Sequence, residues 1–156
     1  MLPLTNVEYL ILHHSERVFD HPSFVRFRHR TFRQWEDIGY HYLIGDGVCT
    51  VDGQIYPGRA EQYQGAHARG YNDRSLGICL LGNCDLFGPT DRQIESLLTL
   101  LEDKQKQYGI PTDHILGHRE LPGVQKTCPG TEFDLDDLRE LLRPAPVLRF
   151  EQTKTA

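Results

Sequence analysis

The chain predicts an α/β fold: a single domain with a central mixed β-sheet flanked by helices. Three observations lead there. Tyr9-Leu10-Ile11-Leu12 and Ile115-Leu116-Gly117 are short apolar runs of the kind that buried strands use. Thr90 to Tyr108, between them, carries the 3.6-residue stripe of an amphipathic helix. The 156 residues suffice for one domain that buries about two-thirds of its unfolded surface, and no internal repeat or linker divides them.

Taken in order, residues 7–13 form the first strand. A helix follows over 22–35, with Phe24, Phe27 and Phe32 on or near one apolar stripe. Tyr42-Leu43-Ile44 and Gln54-Ile55-Tyr56 read as strands joined through turns at Asp46-Gly47 and Asp52-Gly53. Residues 75–82 are a short apolar strand. In the helix from Thr90 to Tyr108, Thr90 and Gln93 stand at capping-box spacing, and Ile94, Leu97, Leu98 and Leu101 mark i, i+3, i+4 and i+7. Gly109 and Pro111 end it, one as a left-handed C-cap and the other by blocking continuation. The last strand-forming run covers 115–117. Residues 135–142 make a last short helix, with Asp134 as N-cap and Leu135, Leu138, Leu141 and Leu142 facing inward. The domain is expected to span 1–142, and 143–156, with its two prolines and polar end, to be a loosely attached tail.

Charge is mildly acidic, 17 Lys and Arg against 22 Asp and Glu, which argues against a nucleic-acid surface. Arg26, Arg28, Arg30 and Arg33 crowd one segment and read as a solvated helix face. No run approaches the roughly 20 apolar residues of a membrane span. Met1-Leu2-Pro3-Leu4 lacks the charged and apolar regions of an export signal, so the chain is expected in the cytoplasm at synthesis. It is expected to act as a monomer, with neither nucleic acid nor membrane as partner. Four cysteines in such a chain suggest a reducing compartment. If Cys128 holds a metal, the odd number left over argues against a disulfide framework, and Cys79 reads as a small core residue.

The chemistry gathers at the ends of the apolar runs. His13 closes the first, in tandem with His14; His118 closes the run at 115–117; Cys128 lies in the Pro-rich loop beyond. Two imidazoles and a thiolate suit zinc, and three protein ligands leave a fourth position for water, as catalytic sites do. Strand side chains alternate, so His13 and His14 face opposite sides. Spacing alone equally fits core histidines and an inert thiol.

Four segments add to that reading: Leu10-Ile-Leu-His-His-Ser15; Trp35-Glu-Asp-Ile-Gly-Tyr-His-Tyr42; Gly65-Ala-His-Ala68 through Gly70-Tyr-Asn72 and Ser75-Leu-Gly-Ile78; and Gly117-His-Arg-Glu120 through Lys126-Thr-Cys-Pro129. Together, over residues 7–142, they resemble the type 2 N-acetylmuramoyl-L-alanine amidases. That family includes small bacteriophage lysozyme-type amidases, bacterial muropeptide amidases and animal peptidoglycan recognition proteins. The resemblance implies one zinc ion on His13, His118 and Cys128, with His14 at the rim or behind the metal. It implies catalytic roles for Tyr40 and Lys126, in place of the glutamate of an HExxH motif, which this sequence lacks. It also implies a groove lined by His67 and Asn72. Cys128, where some cytoplasmic relatives carry Asp, resembles the phage and recognition-protein branch; the ten-residue step from His118 to Cys128 resembles the muropeptide amidases. The implied substrate is peptidoglycan or a muropeptide, and the implied reaction is hydrolysis of the amide between N-acetylmuramic acid and L-alanine, in wall lysis or muropeptide turnover. Two other readings are a non-catalytic peptidoglycan-binding module and a phage-type amidase that also regulates a polymerase. An endolysin of this kind would reach the wall on release.

Overall fold

The computed structural model describes residues 1–143, so the tail expected from 143 onward lies outside the described residues except for Arg143. Five strands form one mixed sheet: β1 (Tyr9–His14), β2 (Tyr42–Ile44), β3 (Ile55–Pro57), β4 (Ser75–Leu80) and β5 (Ile115–Gly117), in the order β3-β2-β4-β1-β5. β2, β4, β1 and β5 run parallel, and β3 closes one edge antiparallel to β2. Parallel strands are covered on both faces. β4 accordingly is buried at every residue, and β1 at every residue but Tyr9.

The two faces carry different cargo. Leu10, Leu12, Ile44, Leu76, Ile78, Leu80 and Ile115 meet Leu97 and Leu101 of α2 (Asp91–Tyr108) and Leu135 and Leu138 of α3 (Leu135–Leu142). On the other face, Leu43 and Cys79 pack with Val25 of α1 (Pro22–Thr31), Ile38 and Leu81, while Ile11 packs with Ala68 and Leu121. Cys79 is the core residue its neighbours suggested.

α2 has the expected ends. Thr90 Oγ1 accepts from the Gln93 N–H at 3.0 Å, Gln93 Oε1 accepts from the Thr90 N–H at 3.2 Å, and Gly109 adopts φ +68°. Gln93 also donates to the carbonyls of Ile44 (3.0 Å) and Leu81 (2.9 Å), pinning the helix start to β2 and the end of β4.

α1 departs from expectation twice. It stops at Thr31, with Phe32 as C-cap and Gln34 in a left-handed conformation (φ +56°), so 32–35 are not helical. Its phenylalanines also face out: Phe24, Phe27 and Phe32 are 54%, 59% and 73% exposed, and only Pro22 and Val25 are buried. Two ion pairs set that rotation. Arg26 donates to Asp37 at 2.8 Å, and Arg28 holds both carboxylate oxygens of the fully buried Asp20, so Val25 alone turns to the sheet. In α3, Leu141 is likewise exposed rather than inward. No helix among the described residues is long and apolar enough to cross a membrane.

Candidate metal centre

Open α/β sheets place ligands beyond the carboxyl ends of their parallel strands, and the candidate site lies there. The β1–β5 register pairs Leu12 with Gly117, so His13 and His118 follow side by side, ring centroids 4.7 Å apart. Gly117 is required at that spot: a Cβ would come within 2.4 Å of Leu135 Cδ1 and 2.9 Å of Pro129 Cδ. Arg119 brings in the third residue. Its N–H donates to the Cys128 carbonyl at 2.7 Å, and its guanidinium donates to the carbonyls of Thr127, Gly130 and Phe133. Glu120 accepts from the Gly117 N–H at 2.8 Å and from Arg139 of α3, which also donates to the Ile115 carbonyl at 3.0 Å. The turn that carries His118 is thereby clamped to α3.

The donor atoms of His13, His118 and Cys128 all lie within 4.8 Å of one another, and His13 Nδ1 is 3.6 Å from Cys128 Sγ. Zinc bonds of about 2.0–2.3 Å put tetrahedral ligands about 3.3–3.8 Å apart, so the His13–Cys128 pair already has that spacing, and any pair as wide as 4.8 Å would draw in around such an ion. The electrostatics agree. Burial, aided by neighbouring histidines and Lys126, holds the His13 imidazole well below its usual pKa, and burial with Lys126 lowers that of His118. Both are therefore neutral, as metal ligands must be. Burial pushes the Cys128 thiol up to about 12, against the His14 backbone N–H and Lys126, which favour the thiolate. A cation at the focus would reverse that balance.

A directed chain of hydrogen bonds stands behind His13. Its Nε2 lies 3.0 Å from His67 Nδ1, His67 Nε2 lies 3.4 Å from Ser75 Oγ, and Ser75 Oγ donates to the Tyr71 carbonyl at 2.6 Å. The terminal carbonyl can only accept, so each proton points the same way: His67 donates to Ser75 and His13 donates to His67. That leaves the His13 Nδ1 lone pair facing the metal position, the usual role of a ligand's outer hydrogen bond. Glycines at 65 and 77 make room for the His67 ring, since a Cβ at either would fall within 2.3 or 2.5 Å of it.

The sequence-derived residues thus fall into two sets. His13, His118, Cys128, Tyr40 and Lys126 share one cleft of about 420 Å³. His67, read as lining a substrate groove, also borders this cleft, 9% exposed and bonded behind His13, whereas Asn72 stands outside its lining: Asn72 Oδ1 accepts from the His67 and Ala68 N–H groups at 2.9 Å each. His14 turns to the opposite face, where Nδ1 accepts from the Cys84 N–H at 3.0 Å, and its buried Nε2 makes no hydrogen bond, with the Glu16 and Asp85 carboxylates 3.9 and 4.0 Å away. Sequence reasoning misses Arg119 and Ser75; only adjacency to His118 could have flagged Arg119. It also passes over Glu16. That residue borders the cleft as its only carboxylate among the described residues, on a left-handed backbone (φ +62°).

The Tyr40 ring centroid lies 5.1 Å from that of His13, and burial lifts its hydroxyl pKa well above the usual tyrosine value. α1 and the turn after it form the facing wall with Arg28, His29, Phe32 and Arg33. Burial, then Arg28, pulls His29 down to about 4. The α/β domain thus carries a His/His/Cys cluster that could hold a metal ion at the carboxyl edge of its sheet.

Residues 3–131 match the family model of the type 2 N-acetylmuramoyl-L-alanine amidases, and the chain belongs to that family. It is 41% identical over 100 residues to peptidoglycan-recognition protein SC2 of Drosophila simulans, covering 64% of this chain and 50% of that protein. The chain therefore spans about half the length of that curated relative. Among solved structures, the N-acetylmuramoyl-L-alanine amidase LysC from Clostridium intestinale superposes with a TM-score of 0.79 at 30% identity, over 91% of this chain and 93% of that one. A Drosophila PGRP-LB point mutant in complex with tracheal cytotoxin superposes with a TM-score of 0.70 at 30% identity, over 85% and 84%.

Proposed function

We propose that this chain is a zinc-dependent N-acetylmuramoyl-L-alanine amidase that hydrolyses the amide between N-acetylmuramic acid and L-alanine in peptidoglycan or soluble muropeptides. The observation that carries the reading is the complete set on one cleft: His13, His118 and Cys128 within 4.8 Å, with Tyr40 and Lys126 on the same walls. When bound, zinc supplies a Lewis acid for the scissile carbonyl and lowers the pKa of a water.

The other steps belong to the chain. Tyr40 keeps its proton at neutral pH, so it donates a hydrogen bond to the substrate rather than accepting a proton. Lys126 offers a positive charge to the oxygen that becomes negative in the transition state. His29 Nδ1 is occupied by the Gly39 N–H at 3.0 Å, so its other nitrogen carries the proton. Glu16 is left as the acceptor on this cleft. The sole carboxylate also argues against glycosidic cleavage, which usually works with two.

Digestion of sacculi should release peptides with a new amino group on L-alanine and no matching rise in reducing sugar. Lys126→Ala and Tyr40→Phe should retain zinc while turnover falls about 10²–10³-fold. Intact muramyl-peptide links beside shortened glycan strands would refute the amidase reading. Tight muropeptide binding by a zinc-loaded protein with no cleavage would leave a recognition module instead.

A further inference from the structure

We propose that the outer face of α1 is a docking surface for an anionic phospholipid bilayer. The inference stands on the surface itself and does not depend on the amidase reading.

A string of aromatic side chains that the fold leaves uncovered is the first observation. Phe24, Phe27 and Phe32 are 54%, 59% and 73% exposed. Phe24 and Phe27 are one helical turn apart, and the Phe27 and Phe32 rings meet edge to face with centroids 5.9 Å apart. Soluble domains seldom leave clustered large apolar side chains in water without a partner for them.

The second observation is charge. Residues 17–35 hold five arginines and one acid, Asp20, and with the bordering Glu16, Glu36 and Asp37 counted the segment 16–37 has a net of +1. The whole chain is −5, so the remainder is −6. Arg28 is committed to Asp20 and Arg26 to Asp37. Arg30 has no carboxylate partner among the described residues, and Arg33 lies over the Trp35 ring at 5.5 Å. The groove beside them is bordered by Arg26, Phe27, Arg30 and Trp35; Glu36 at its edge is met by the Met1 amino group.

These two observations select the occupant. A soluble anion or a sugar-phosphate polymer satisfies arginines but offers little apolar volume for the three phenylalanines. A neutral apolar partner covers the rings but strands the charge. An anionic bilayer provides both, with phosphates for Arg30 and Arg33 and the acyl boundary for the rings, as basic amphipathic helices use it. Phe32 and Arg33 also border the catalytic cleft, so docking would set the mouth of the cleft beside the membrane surface.

The test is flotation of the intact chain with vesicles of phosphatidylglycerol and phosphatidylcholine against vesicles of phosphatidylcholine alone, with sacculi in a parallel arm. Trp35, the only tryptophan, reports from the docking face. The chain should float with anionic vesicles only, its emission should shift to the blue, and salt should release it. Phe24→Ser with Phe27→Ser, and separately Arg30→Glu, should each weaken vesicle binding roughly tenfold or more. None of Phe24, Phe27 and Arg30 lines the cleft, so cleavage of soluble muropeptides should persist in Arg30→Glu and in Phe24→Ser alone, which leave the Phe27–Phe32 contact in place. No flotation at low salt, equal flotation with neutral vesicles, or wild-type binding by both variants would overturn the proposal. So would retention on sacculi that depends on these side chains while vesicles bind nothing.

Discussion

At the scale of single residues, the candidate site depends on side chains that never touch a metal. His67 fixes which nitrogen of His13 carries the proton, and Gly77 leaves the space that the His67 ring fills. Gly77→Ala should therefore push the ring off His13 from a position two strands away from the loop of Cys128. Zinc affinity should fall about 10–100-fold, as should that of His67→Ala, the usual cost of losing a ligand's outer hydrogen bond. Chelator competition measures it, and wild-type affinity in both variants would show that the chain of hydrogen bonds has no hold on the ligand. The clustering of the candidate ligands was legible, because His13 and His118 end apolar runs and such ends are where α/β sheets keep their chemistry. His67 was legible as a cleft-lining residue, but its bond to His13 was not. Its ring reaches His13 across 54 positions, through a packing relation that no local pattern encodes.

At the scale of elements, the two long helices differ in how their information is stored. α2 is written locally: the Thr90–Gln93 box, the leucine stripe and Gly109 all act within a turn or two of themselves. α1 is oriented from outside, by Asp20 and Asp37, and a stripe count cannot know which face those acids will claim. A buried polar residue makes the complementary point. Gln93 sits at a position a sequence reading gives to solvent or to a cap, yet it is 2% exposed and holds the Ile44 and Leu81 carbonyls. Gln93→Leu keeps the volume and removes both donors together with half of the capping box. It should destabilise the fold by about 1–3 kcal/mol, the cost of leaving the Leu81 carbonyl unpaired, since the Ile44 carbonyl keeps the Leu81 N–H at 2.9 Å. Denaturant unfolding with an unchanged m-value would report it; a loss under about 0.5 kcal/mol would mean that α2 docks without this anchor.

For the molecule as a whole, the sheet order β3-β2-β4-β1-β5 gathers residues spread from position 13 to position 128, and it also crowds histidines into one interior. His29, His41 and His67 are not ligand candidates. Burial is the leading cause of each lowered pKa, with Arg28 next for His29 and His41 next for His67; the Tyr63 carbonyl partly offsets the shift at His41. The folded chain therefore binds fewer protons than the unfolded one wherever pH lies between the lowered values and about 6.5. Stability should accordingly be full above about pH 6.5 and decline as pH falls, with the His29 contribution gone below about 4. Each such group steepens the decline by up to about 1.4 kcal/mol per pH unit inside its window. Melting temperatures taken from pH 7.5 down to 4 in metal-free buffer separate this effect from the release of zinc, which a second series with saturating zinc would add. A replacement of His29 that keeps the hydrogen bond to the Gly39 N–H, such as His29→Asn, should flatten the metal-free curve. If the slope between pH 6.5 and 4 is unchanged in that variant, the acid sensitivity belongs to the carboxylates and not to the histidine interior.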